Sequence, residues 1–76
     1  MDQSAISLQK HCPELGQFRF YAISVQPNLF GSYSLIREWG RIGSRGRVRI
    51  DVYQAEADAV TCMQRKLREK KRRGYR

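Results

Sequence analysis

Seventy-six residues carry 15 Lys or Arg against 7 Asp or Glu, a net charge of +8, with 41% hydrophobic and 11% aromatic residues. That composition suits a folded domain, but a chain this short buries only a modest core and leaves no room for a large enclosed active site. No apolar run approaches the ~20 residues of a bilayer span, and Met1-Asp2-Gln3-Ser4 lacks the basic and apolar segments of a secretory signal, so a soluble cytoplasmic protein without a membrane partner is expected.

Residues 4–10 place Ile6 and Leu8 in alternation, a short strand, and Pro13 and Gly16 then mark a loop. Residues 18–26 are aromatic and β-branched: Phe18, Phe20 and Ala22 share one face, Tyr21, Ile23 and Val25 the other, which predicts a strand partly covered on both sides. Pro27 to Ser32 has turn chemistry. In the next strand, 33–39, Tyr33, Leu35, Arg37 and Trp39 point one way and Ser34, Ile36 and Glu38 the other. A tight Gly43-Ser44-Arg45-Gly46 link leads to strand 47–53, with Val48, Ile50 and Val52 opposite Arg47, Arg49, Asp51 and Tyr53. From Ala55 the period becomes helical, with an apolar stripe of Ala59, Val60, Met63 and Leu67 and a stop at Gly74. The fold class is α+β: a small antiparallel meander of three to four strands against one C-terminal amphipathic helix. It is read as a single domain over 1–76, with a core of about 5–73 and a basic tail at 72–76.

The charge is concentrated. Residues 65–76 hold eight of the fifteen cations and a single acid, Glu69, while Arg37, Arg41, Arg45, Arg47 and Arg49 form a second cluster beside Glu38 and Asp51. Two basic regions on so small a domain point to a polyanion, although a solvated helix face accounts for a charge run equally well. Cys12 and Cys62 are far apart with no Cys-x-x-Cys or His/Cys cluster, so free buried thiols and no metal site are expected. His11 and Cys12, adjacent in an extended chain, point to opposite faces and make no catalytic pair. No two carboxylates are arranged for acid–base work, and Ser44 has no histidine partner, so the chain is read as non-enzymatic and without a cofactor. Gly43-Ser44-Arg45-Gly46 matches the GXXG of KH domains only superficially, since that loop joins helices. Trp39, at a strand end between glycine and arginines, is either the core aromatic of a small sheet or a rim residue that stacks on a base while guanidinium groups hold phosphate.

Three segments together resemble a known family. Phe20-Tyr21-Ala22-Ile23-Ser24-Val25 is followed by Tyr33-Ser34-Leu35-Ile36-Arg37-Glu38-Trp39-Gly40-Arg41-Ile42-Gly43, and the helix ends Lys70-Lys71-Arg72-Arg73-Gly74-Tyr75. Over residues 5–76 this is similar to the WGR domain, in particular to free-standing bacterial members. The resemblance implies a DNA-binding module, because WGR domains of poly(ADP-ribose) polymerases engage the end of a broken strand. It implies that Trp39 packs on the terminal nucleotide, that Arg41 contacts phosphate or a partner, and that Gly40 and Gly43 shape the turn. No transferase segment accompanies these residues, so no NAD chemistry follows.

The expected function is nucleic-acid binding of low sequence specificity, at ends, nicks or exposed terminal nucleotides, with DNA ahead of RNA. The expected site is Trp39, Gly40, Arg41, Arg37, Arg45, Arg47 and Arg49. The alternative is a protein-interaction module that docks on a DNA-processing partner through the Trp39 rim.

Overall fold

The computed structural model describes residues 5–76. Four strands, β1 (Ile6–Cys12), β2 (Gln17–Pro27), β3 (Tyr33–Arg41) and β4 (Arg47–Tyr53), precede one helix, α1 (Glu56–Arg72). The strands form one antiparallel sheet in the order β1-β2-β3-β4, a meander in which every neighbour in sequence is a neighbour in space. The first strand lies two residues later than the alternation of Ile6 and Leu8 alone implies. Pairing with β2 carries it on to Cys12, opposite Gln17, while Ser4 and the three residues before it lie outside the described residues.

The register decides which alternation faces the helix. Leu8, Tyr21, Trp39 and Arg47 lie in one row across the sheet, and Val25, Leu35 and Asp51 in another, all on the helix side. Leu8, Tyr21, Ile23, Val25 and Leu35 pack there against Ala59, Cys62, Met63 and Leu67 of α1. Cys62 takes the place in this stripe that sequence spacing gave to Val60, which sits half-buried at its margin. Both thiols are free, but Cys12, ending an edge strand, is only half-buried.

Among the described residues, no layer lies over the far side of the sheet. Val48, Ile50 and Val52 are 57–59% exposed, and Phe18 is 38% exposed. Strand alternation separates the two sides of β4 but not which one is covered; the single helix covers the side of Asp51 and Tyr53.

Helix α1 starts at Ala55 without a side-chain cap and carries Glu56 and Asp58 in its first turn and Lys70, Lys71 and Arg72 in its last, both favourable to the helix dipole. It ends in a Schellman turn. The Tyr75 amide donates to the Lys70 carbonyl and the Gly74 amide to that of Lys71, each at 3.1 Å, with Gly74 at φ +99° where a side chain would be strained. The turn aims Tyr75 into the core, where it is 9% exposed. Arg76 then pairs with Gln9 through two backbone hydrogen bonds of 2.8 Å, covering part of the outer edge of β1. The packed unit therefore extends beyond the 5–73 core read from sequence: residues 74–76 are a docked strap, and only their composition marks them as a tail.

Tyr75→Ala is expected to lower unfolding stability by about 2–4 kcal/mol, as for other large-to-small core changes. Chemical denaturation followed by circular dichroism measures it; a loss below ~0.5 kcal/mol would place Tyr75 outside the core.

Candidate nucleic-acid interface

Trp39 stands on the helix side of β3, opposite Tyr21 on one flank and Arg47 on the other. The indole is half-buried, packed at the edge of the core with one part open to a groove. Both readings of this residue therefore apply in part: it closes the core, and it remains accessible.

The groove has a volume of about 250 Å³ and is lined by Tyr21, Arg37, Trp39, Lys66, Glu69, Lys70 and Arg73. It is smaller than the ~300–1,000 Å³ of ordinary small-molecule pockets, an open shelf rather than an enclosed site. Four cations face one carboxylate around two aromatic rings. Lys66, Lys70 and the C-cap residue Arg73 are spaced four and three residues apart, along one face of α1 and its end, and the helix packing brings that face over the sheet.

Lys70 is the most constrained of them. Its Nζ lies 4.9 Å from the ring centre of Tyr21 and 5.1 Å from that of Tyr75. Burial, then the nearby Arg73, pushes its pKa below the ordinary lysine value, with Arg19 and Arg37 adding to the shift and Glu69 opposing it. The two ring faces act against the shift by attracting the ammonium. The hydroxyl of Tyr21 is held above the ordinary tyrosine value, burial outweighing the opposing pull of the Arg37 guanidinium.

Arg37 is an internal support. Its side chain is only 15% exposed, and its Nη2 donates to Asp51 Oδ2 at 3.2 Å. Its guanidinium carbon lies 5.8 Å from the Trp39 ring centre. Arg49, directly across the ladder, donates through Nε to the other carboxylate oxygen of Asp51 at 3.3 Å. Opposed arginines would repel, and Asp51, two residues along β4, bridges both. Arg49 stays largely exposed, but its charge is partly matched.

Arg41, Arg45 and Arg47 are exposed around the β3–β4 turn, and among the described residues none of them forms an ion pair. Two glycines set the path of this turn. A Cβ on Gly40 would lie 2.7 Å from the Gly46 Cα; one on Gly46 would lie 2.6 Å from the Trp39 carbonyl oxygen and 2.7 Å from Phe20 Cζ, and Gly46 also has φ +77°. The chain crosses itself here at a distance only glycine permits. Gly40 thus acts through backbone approach, and Gly46 does as much.

Of the residues expected from sequence, Trp39 and Arg37 line the groove; Arg41, Arg45 and Arg47 flank the adjoining turn; Arg49 is tied to Asp51. Sequence reading missed Lys66, Lys70 and Arg73 as site residues. Their helical spacing was a usable signal, but nothing local tied it to Trp39. Among the described residues no group of His, Cys, Asp and Glu can hold a metal ion, and no helix is long and apolar enough to cross a membrane.

The family model of the WGR domain matches residues 4–76. The chain is also similar to a protein of Sinorhizobium fredii (strain NBRC 101917 / NGR234) described as uncharacterized protein y4dW, 45% identical over 64 residues that make up 84% of this chain and 31% of that relative. The chain thus spans about a third of that protein's length. No solved structure matches.

Gly46→Ala is expected to lower stability by about 2–4 kcal/mol, since backbone strain and a backbone clash add. It should also shift the emission of the single tryptophan at temperatures well below unfolding. A variant with wild-type melting and emission would contradict the close crossing.

Proposed function

The chain belongs to the WGR domain family, and from that premise we propose that it binds DNA at ends, nicks or exposed terminal nucleotides, with low sequence specificity and no chemical step. WGR domains are nucleic-acid-binding modules. The observation that carries the finer reading is the groove in which a half-open indole lies beside Lys66, Lys70 and Arg73. A nucleotide with a free face stacks on the indole, and an unbroken duplex does not offer one. The helix cations hold the adjoining phosphates, and Arg41, Arg45 and Arg47 take phosphates further along the strand. Arg37 positions the indole rather than contacting phosphate, because Asp51 already occupies it. Phosphate contacts supply most of the affinity and make it fall steeply with salt. The groove offers an indole face and cations rather than groups matched to base edges, so base-edge readout is not part of the reading.

Fluorescence anisotropy at several salt concentrations tests this with intact duplex, 5′-phosphorylated nicked duplex, single-stranded DNA and matched RNA. Nicked or ended DNA is expected to bind more tightly than intact duplex. Trp39→Ala, checked for folding, should weaken that binding by about 5–100-fold, the equivalent of ~1–3 kcal/mol for one stacked base. Lys66→Gln and Arg73→Gln should each lower the log–log salt slope by ~1 and weaken all probes alike. Equal binding to every probe, unaffected by a folded Trp39→Ala, would overturn end recognition.

A further inference from the structure

The sheet face opposite α1 has a chemistry unlike the rest of the molecule. Ile36, Val48, Ile50 and Val52 form an apolar stripe along β3 and β4, and the last three are more than half exposed. At the side-chain positions on this face, from β1 to β4, there is no Lys or Arg, although the chain carries 15 of them. Glu38 is the only carboxylate there. Exposed apolar surface with a polar surround marks a docking site.

We infer that this face joins two copies of the chain, sheet against sheet. Charge selects the occupant. A nucleic acid finds no cation on the face. A second copy, itself at +8, is repelled from every other approach but meets no like cation here, and the stacking sends the two basic grooves in opposite directions. Stacked sheets keep their strands within about 30° of one another. A two-fold axis across the strands at the Ile36–Ile50 row then lays Val48 over Val52 of the second copy, and Glu38 over Ser34, whose hydroxyl can donate to the carboxylate. The rows repeat evenly along β3 and β4, so each pair off the axis is made twice.

The contact is small. Four strands at ~4.8 Å spacing and about six residues of length give a face of roughly 400 Å², against ~800 Å² per partner in a standard interface. The dimer is therefore concentration-dependent. It also responds to salt in the opposite sense from nucleic-acid binding, because screening removes the repulsion between two cationic copies.

Sedimentation equilibrium without nucleic acid, from ~10 µM to ~1 mM and at low and high salt, tests the inference in the weak-interface range. The weight-average mass is expected to rise from monomer toward dimer, more so at high salt. Ile50→Lys and Val52→Lys, exposed sites at which the fold should survive, are expected to stay monomeric while keeping wild-type affinity for nicked DNA at low protein concentration. Arg49→Gln, on the opposite side of β4, should still dimerise. A wild-type chain that remains monomeric at ~1 mM in high salt, where even weak interfaces associate, would overturn the inference. So would a dimer that survives both lysine substitutions. Neither result bears on the groove.

Discussion

Tyr75 holds a strongly cationic helix end against an aromatic patch of the sheet, and the candidate interface depends on that contact. Seven Lys and Arg residues fall between Arg65 and Arg73, and their mutual repulsion favours a frayed, solvated helix end. The Schellman turn reverses the chain after Arg73 and drives Tyr75 into the core beside Tyr21, ring centres 6.4 Å apart. The backbone pair between Arg76 and Gln9 then closes the strap over β1. With both ends of the last turn fixed, Lys70 lies close to two rings, and Lys66 and Arg73 line one groove with Trp39. The groove is a by-product of how the helix is terminated.

The two faces of the sheet divide the work. The helix side collects the tyrosines and Trp39, the buried core and the cations of the sheet. Asp51 between Arg37 and Arg49, the ionic cluster formed among the described residues, stabilises the orientation of Trp39 rather than presenting charge outward. The far side has no Lys or Arg, one carboxylate at Glu38, and an apolar stripe along β3 and β4. A polyanion is drawn to the first and an uncharged, flat surface to the second, so the two kinds of contact do not compete for area. This separation follows from alternation along β3 and β4, where each residue faces away from its neighbour.

The meander was readable because period-two alternation and turn residues coincide, as at Gly43 to Gly46, and because the helix begins where alternation stops. The Trp39 end of the site was readable from its setting among glycines and arginines. The other half was not. Lys66, Lys70 and Arg73 share a helix face, but which strand that face meets depends on packing between residues some thirty positions apart. For the same reason sequence could not separate Arg37, locked onto Asp51, from Arg41 and Arg45, which are free among the described residues. Nor could it show which side of β4 lacks a cover, since one helix and two sheet faces leave that to the core volume. The strap at 74–76 was hidden by its composition: a basic terminus reads as solvated, and only the position of Tyr75 after a Schellman glycine argues otherwise.

In the proposed function, Trp39 and the end of α1 form one surface for nucleic acid. Backbone and indole N–H shifts of the labelled protein, followed during titration with a short 5′-phosphorylated nicked duplex, test it most directly. The Trp39 indole and the amides of residues 66–73 are expected to move together, with one saturation curve, while Val48, Ile50 and Val52 stay where they are. Movement centred on Val48 to Val52, with the Trp39 indole unchanged at saturation, would contradict it.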